Sequence, residues 1–231
     1  GINGNQSLNN ATEAGAVYIF VRSGNSWSQQ AYIKASNTDA GDRFGHRLAL
    51  SADGNTLAVS SESERSSDTG IDANQALNDA PNSGAVYIFT RTGATWSQQE
   101  YIKASNAEAN DRFGSSLALS ADGNTLAVGA RLENSGDAGI GANQTLNNAL
   151  IAGAAYVFTR SGVTWSQQEY IKASTVHSGA SFGFSVALSA DGNTLAVGGC
   201  YESSSATGID GNQTLHDAPN AGAVYIFTRS G

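Results

Sequence analysis

The chain has 231 residues and a formal net charge of −8, from 12 Lys and Arg against 20 Asp and Glu. Its basic residues form no cluster, so the composition disfavours nucleic acid as a partner. A single cysteine excludes an internal disulfide, and no run of eighteen apolar residues is present, so we expect no membrane insertion. The sequence contains no Met and starts within a repeat, which predicts that it is a piece of a longer protein.

An internal repeat organises the chain. The segment ALSADGNTLAV recurs unchanged at 49–59, 118–128 and 187–197, each time after a Phe-Gly pair, with an offset of 69 residues (113 − 44 and 182 − 113). We therefore divide the single repeat region 1–231 into a partial unit 1–43, full units 44–112 and 113–181, and a truncated unit 182–231. These about three and a third units are expected to stack, because one unit alone cannot bury both its faces.

Each unit predicts four strands. In the first full unit these are 47–51, 56–60, 85–91 and a strand that begins near Trp96. Asp53-Gly54 is a hairpin signal between the first two strands, and a polar stretch from about 61 to 83 joins the second to the third. The third strand is apolar on both faces, which predicts that it lies between two layers. The fold class is therefore all-β, with propeller blades of four antiparallel strands.

The segments FGSSLALSADGNTLAVGA and GAVYIFTRSG, followed in other units by WSQQ, together resemble the FG-GAP repeat of bacterial secreted proteins, which is related to the integrin α-chain propeller. The resemblance covers the whole chain. It implies a seven-bladed β-propeller, of which this chain would form an open arc. It also implies an extracellular or cell-surface location and a role in adhesion or protein binding.

Calcium is the cofactor that the resemblance suggests, in an Asp-rich loop between the first two strands. That loop is only SADGN here, with one carboxylate per unit, and calcium requires six to eight oxygen ligands. We therefore interpret Asp-Gly as turn chemistry. A second possible metal site is formed by Asp39, Asp42, Asp68 and Asp72, which do not recur in every unit. Calcium stays possible at one or two irregular positions, and we predict no other cofactor.

The long loops between second and third strands are the first candidate for a binding surface, because they lie opposite the Asp-Gly hairpins. They share Gly, Ile, Asn-Gln, Leu and Ala at 1–11, 70–80, 139–149 and 208–218. The candidate ligand- or partner-binding residues are Asp72, Asn74, Gln75, Asp79, Asn143, Gln144, Asp210, Asn212 and Gln213. In the alternative interpretation, Ile71 and Leu77 anchor the loop and the Asn-Gln pair hydrogen-bonds the backbone.

Three tryptophans, Trp27, Trp96 and Trp165, occupy one repeat position beside Ser-Gln-Gln. A periodic tryptophan on an outer strand is expected to pack against the next blade, and the alternative is an aromatic platform for a sugar.

No catalytic spacing recurs, and the histidines occupy three different repeat positions, so we predict no enzyme activity. The leading hypothesis is a non-enzymatic extracellular binding module for a protein or glycan ligand. The alternatives are a structural subunit that associates with further copies of itself through an unpaired blade edge, and lectin-like carbohydrate binding.

Overall fold

The computed structural model describes residues 1–8 and 10–229, and these residues form an all-β structure. Asn9, Ser230 and Gly231, which the sequence places in the first long loop and at the end of the truncated unit, lie outside the described residues. The strands are β1 Val17–Ser23, β2 Ser26–Ile33, β3 Leu48–Leu50, β4 Thr56–Ser61, β5 Ala85–Thr92, β6 Thr95–Ile102, β7 Phe113–Leu119, β8 Thr125–Ala130, β9 Ala154–Ser161, β10 Thr164–Ile171, β11 Phe182–Leu188, β12 Thr194–Gly199 and β13 Ala223–Thr228.

These strands pair in chain order into antiparallel sheets, which we call blades. Blade 1 contains β1 and β2, blade 2 contains β3 to β6, blade 3 contains β7 to β10, and blade 4 contains β11 to β13. The structure confirms the predicted four-strand antiparallel sheets that repeat about every 69 residues. Across residues 1–8 and 10–229, the sheets do not close on themselves.

Strand positions follow the predicted pattern closely. The predicted strands 56–60 and 85–91 agree with β4 and β5, and β6 begins at Thr95, whereas β3 is shorter than the predicted 47–51. The first five residues of β5 and of β9 are buried on both faces of the strand. This confirms that the third strand of a blade lies between two layers, which here are the neighbouring blades.

Neighbouring blades meet where the Phe-Gly pair contacts a glycine of the preceding blade. Phe113 N donates to Ser83 O at 3.0 Å, and a Cβ on Gly84 would lie 2.8 Å from Phe113 N and closer still to its carbonyl oxygen. Gly15 meets Phe44 and Gly153 meets Phe182 in the same way. The phenylalanine rings then lie edge-on against aromatic residues of the third strand in their own blade. The repeated sequence therefore specifies the contact between blades as well as the fold of each blade.

The tryptophans form a second contact between blades. Trp96 and Trp165 are 5% and 3% exposed, and Trp96 Nε1 donates to Gln30 Oε1 at 3.0 Å. The Arg91 guanidinium lies 5.5 Å from the centroid of the Trp96 ring. Packing between blades is confirmed, but the partner is the preceding blade and not, as predicted, the next one. Burial of Trp96 and Trp165 also shows that the repeated aromatic platform for a sugar was a wrong interpretation at these two positions.

Candidate functional site

The two ends of the blades differ in how their polar side chains are used. At the end with the Asp-Gly hairpins, these side chains hydrogen-bond within their own turn. Asp53 Oδ1 accepts hydrogen bonds from Ser51 Oγ at 2.6 Å and Asn55 N at 2.9 Å. These bonds lower the pKa of Asp53 to about 2. Asp122 and Asp191 make the same contacts in the following blades. The interpretation of Asp-Gly as turn chemistry is confirmed, because both carboxylate oxygens are used within the turn.

At the other end, long loops lie against the links between blades. We call this end the long-loop face; it comprises loops 62–84, 131–153 and 200–222 with links 34–43, 103–112 and 172–181. Asn78 Nδ2 of one loop donates to Asp39 Oδ2 of the preceding link at 2.9 Å, and Asn147 Nδ2 donates to Glu108 Oε1 at 2.7 Å. Loops and links therefore share one face, as the strand order predicted.

The candidate asparagines of these loops stabilise turns. Asn74 Oδ1 accepts from Ala76 N at 3.0 Å, and Asn143 and Asn212 do the same two residues further along their own loops, also at 3.0 Å. Backbone hydrogen bonding was the alternative predicted for the Asn-Gln pair, and it is confirmed for the asparagines. Their side-chain oxygens are thus occupied, although all three residues are exposed.

The candidate glutamines do something that the sequence did not predict. Gln75, Gln144 and Gln213 each accept a hydrogen bond at Oε1 from a serine hydroxyl, from Ser36, Ser105 and Ser174 respectively, in the preceding link. The predicted backbone partner was wrong for these side chains. The two residues of each pair are 39 positions apart, so no local pattern reveals them. Each long loop is consequently fastened to the blade before it.

Apolar side chains also hold the same loops against the blades. Ile71 forms an isolated antiparallel bridge with Ile102 and packs against the core of blades 2 and 3. Leu77 is half-buried. The prediction that Ile71 anchors the loop is confirmed in blade 2, and the role of Leu77 stays a prediction.

Backbone conformation explains the residue choice at Asp72. Asn3, Asp72 and Asp210 have φ angles of 54°, 55° and 56°, and Gly141 at the same repeat position has 67°. Asparagine, aspartate and glycine are the residues that enter this left-handed region most readily. The four units carry Asn, Asp, Gly and Asp at this one repeat position, which indicates a turn. The sequence alone contains this signal.

Asp72 also lies beside a carboxyl that the sequence did not single out. Burial, and next the neighbouring Asp72, raise the pKa of Glu100 to about 7. The equivalent residues are Gly141 with Glu169 and Asn3 with Ala31, so this acid pair belongs to blade 2. The remaining candidate, Asp79, is exposed and accepts a hydrogen bond from Ser67 N at 3.3 Å.

The four candidate metal ligands make different contacts. Asp39 accepts from Asn78, and Asp42 Oδ2 accepts from Asp39 N at 3.2 Å. Asp68 closes its own loop, because its oxygens accept from Thr69 N at 2.9 Å and Asn74 N at 2.6 Å. Within residues 1–8 and 10–229, no group of three or more His, Cys, Asp or Glu side chains is placed to hold a metal ion.

A buried ion pair beneath the long loops escaped the sequence interpretation. Lys172 Nζ lies 2.6 Å from Glu133 Oε2, and both side chains are essentially inaccessible to solvent. Asn106 Nδ2 donates to Glu133 Oε1 at 3.1 Å, and Tyr156 OH donates to Asn106 Oδ1 at 2.6 Å. Blade 2 repeats the pair with Lys103 and Glu64 at 2.7 Å. The signal was present, since Glu64, Glu133 and Glu202 and also Lys34, Lys103 and Lys172 recur at the repeat spacing.

Asp111 lies in the same buried network. Its Oδ2 accepts from Glu108 N at 3.1 Å, and its Oδ1 is buried without a hydrogen-bond partner among the described residues. Burial raises the pKa of Asp111 to about 8, with a smaller contribution from the nearby Glu133.

We expect Asp111 to reduce stability as the pH rises. An unfolded Asp loses its proton near pH 4, whereas folded Asp111 keeps it to about pH 8, so the unfolded state binds fewer protons between these values. The free energy of unfolding therefore falls as pH increases through this window. Asp111→Asn should make the decrease smaller, as measured by urea unfolding at pH 5 and pH 8. An unchanged difference between the two pH values would contradict this assignment.

Comparison with protein families gives one match. The model of the FG-GAP repeat matches residues 27–89, 96–158 and 165–227, so each matched copy runs from the fourth strand of one blade through the first three strands of the next. Such repeats are a module type associated with binding, and domains built from them are generally non-catalytic. A search of curated proteins gave no match. Among the described residues, no helix is long and apolar enough to cross a membrane.

Proposed function

Because the chain belongs to the FG-GAP repeat family, we propose that it is a non-catalytic, extracellular binding and adhesion module whose long-loop face contacts a protein or glycan partner. The observation that carries this proposal is a contrast within that face. Contacts repeated from blade to blade order the loops, whereas exposed side chains at equivalent positions differ from blade to blade.

The order of the loops favours binding. Asn37 Nδ2 donates both to Gln75 O and to Glu64 Oε1 at 3.1 Å, and the Ser36 hydroxyl bonds the Gln75 side chain. Asn106, Gln144 and Glu133 repeat the arrangement in the next blade. A loop that is already fixed loses little conformational entropy when a partner binds, so more of the contact energy becomes affinity.

The variation of the loops favours selectivity. Asp39 of one link contacts Asn78 of the following long loop. At the equivalent positions of the next repeat, Glu108 contacts Asn147. In blade 4 these positions hold two histidines, His177 and His216, with ring centroids 3.6 Å apart. One place in the fold thus presents three different surfaces to a partner.

Charge indicates what the partner presents. The candidate residues Asp72, Asp79 and Asp210 are exposed on this face, and the chain as a whole carries −8. Complementarity of charge then favours a partner surface with Lys, Arg or other hydrogen-bond donors.

A matched pair of substitutions tests the assignment of the face. Ala76 is exposed on the long-loop face and Ala94 is exposed in a turn at the hairpin end. The chain already places Thr145 and Thr214 at the first repeat position and Asn25 and Val163 at the second, so both accept a larger side chain. Ala76→Lys and Ala94→Lys therefore alter one face each while adding the same charge.

The measurement is binding of the labelled chain to an array of purified extracellular-matrix proteins and glycans. We expect at least one ligand whose affinity falls about tenfold or more with Ala76→Lys, about 1.4 kcal/mol, and stays unchanged with Ala94→Lys. Equal loss in both variants, loss only with Ala94→Lys, or no binding by the unaltered chain would contradict the proposal. Thermal unfolding of both variants provides the control for folding.

A further inference from the structure

The contact that fastens a long loop to the preceding link changes its chemistry in blade 4. In blade 3 the Asn147 amide donates to the Glu108 carboxylate at 2.7 Å, and blade 2 has the same kind of bond. The equivalent residues of the next repeat are His177, in the link before blade 4, and His216, in its long loop. Two imidazoles thus replace an amide and a carboxylate, and imidazole is the commonest metal ligand among protein side chains.

The surroundings of these two histidines repeat from blade to blade. Beside them the Ser174 hydroxyl donates to the Gln213 side chain, as the Ser105 hydroxyl donates to the Gln144 side chain one repeat earlier. Link and loop are therefore held together in the same way in both blades. Only the chemistry of the histidine pair is new.

The two imidazole rings lie closer together than ring packing requires. Their centroids are 3.6 Å apart and their planes meet at 80°, whereas aromatic pairs usually lie about 4.5–7 Å apart. Among the described residues, no hydrogen bond joins the two rings. Two nitrogens on one tetrahedral zinc ion lie about 3.3 Å apart, since each Zn–N bond is about 2.0–2.1 Å long. The separation of the rings therefore allows a single ion to reach a nitrogen of each.

A backbone carbonyl indicates which nitrogen of His177 is available. His177 Nε2 lies 3.4 Å from Gln213 O. A carbonyl oxygen only accepts, so this contact, long for a hydrogen bond, favours a proton on Nε2 and leaves the lone pair of Nδ1 for a metal. Metal-binding histidines are generally oriented by such a contact of the second nitrogen. His216 is exposed, so its ring can turn either nitrogen towards the ion.

The neighbouring carboxylate is already engaged. Asp217 accepts at Oδ1 from Ser205 N at 3.0 Å and at Oδ2 from Ser205 Oγ at 2.8 Å. Since no third His, Cys, Asp or Glu joins the pair within the described residues, water would fill the remaining coordination positions. Two imidazole ligands favour a metal such as Zn²⁺, whereas Ca²⁺ and Mg²⁺ prefer oxygen ligands.

We propose that His177 and His216 bind one Zn²⁺ ion, which ties the long loop of blade 4 to the link before it. The ion does for blade 4 what the bond between Asn147 and Glu108 does for blade 3. Because the two histidines are 39 residues apart (216 − 177), the folded arrangement is needed to hold the ion, and binding in turn stabilises that arrangement. The site is independent of the partner binding proposed above, since its test uses the metal alone.

Isothermal titration calorimetry with Zn²⁺ tests this inference on the whole chain, and we expect one ion per chain. The double variant His177→Glu with His216→Asn introduces the two residues of blade 3, so it should regain their hydrogen bond and bind Zn²⁺ at least tenfold more weakly. His46→Ser introduces the blade 3 residue at the remaining histidine and should leave Zn²⁺ binding unchanged. No binding by the unaltered chain, equal binding by the double variant, or loss of binding in His46→Ser would overturn the inference.

Hydrogen exchange with mass spectrometry locates the ion. Zn²⁺ should slow exchange in peptides that cover 174–180 and 212–218, and leave their blade 3 equivalents, 105–111 and 143–149, unchanged. Ca²⁺ at the same concentration should slow neither pair, because imidazole is a poor ligand for it. His216→Asn alone serves if the double variant fails to fold by circular dichroism. Slowing in the blade 3 peptides, or none in the histidine peptides, would also overturn the inference.

Discussion

Gly84→Ala should lower the free energy of unfolding by more than about 3 kcal/mol, which is in the range reserved for severe packing faults. The new Cβ would lie 2.8 Å from Phe113 N and still closer to the Phe113 carbonyl oxygen, so blades 2 and 3 could not meet as they do. Gly84 also has φ of +84°, a conformation that costs alanine about 1–2 kcal/mol by itself. Urea unfolding measures the total.

Gly93→Ala separates the two contributions. Gly93 has φ of +62°, and a Cβ there meets nothing within 4 Å. This variant should therefore lose only the conformational part, about 1–2 kcal/mol. Equal losses at Gly84 and Gly93 would mean that the Phe-Gly joint contributes nothing beyond backbone strain, contrary to the account given above.

Lys172→Met should cost about 3–5 kcal/mol, because it leaves Glu133 buried without its counter-charge. The two side chains lie 2.6 Å apart and are essentially inaccessible to solvent. Burial lowers the pKa of Lys172, and the adjacent Glu133 opposes that shift. Thermal and urea unfolding should both report the loss.

Two further variants make the Lys172 result specific. Addition of Glu133→Gln to Lys172→Met should recover part of the loss, since the uncompensated charge is then removed. Lys34→Met is the internal control, because Lys34 has no carboxylate within 4.0 Å among the described residues and should cost much less. A loss below about 1 kcal/mol for Lys172→Met, as for an exposed pair, would contradict the assignment.

Local sequence predicted the blades because their determinants are local. Alternating apolar residues in β4, the Asp-Gly turn at Asp53 and the apolar run in β5 each specify a strand or turn within a few residues. The turn assignment at Asp53 is confirmed by the hydrogen bonds that its carboxylate accepts within the turn. These elements recur with the repeat, so one correct interpretation serves every blade.

Contacts between distant positions could not be predicted in the same way. Gln75 bonds Ser36 and Lys103 bonds Glu64, each pair 39 residues apart, and only the stacking of the blades brings them together. Recurrence of Glu and Lys at the repeat spacing was visible, but the residues around the glutamates vary, which concealed them. The direction of Trp96, towards the preceding blade, likewise depends on the stacking and not on the strand itself.

The candidate loop residues were located correctly but interpreted too simply. Asn74 and Asp72 are exposed on the long-loop face, yet one closes a turn and the other adopts a left-handed backbone conformation. What the structure shows of these two residues is therefore structural.

The surroundings of a strand, that is its paired strands and the neighbouring blades, determine its stability more than its own sequence does. Residues 85–91 and 223–229 have the same sequence, so their unprotected amides exchange at nearly equal rates and any difference reports their surroundings. Hydrogen exchange with mass spectrometry resolves them in peptides that extend to Ser83 and Ala221. At low micromolar concentration we expect residues 85–91 to exchange at least a hundredfold more slowly than 223–229. Equal protection of the two segments would contradict the account.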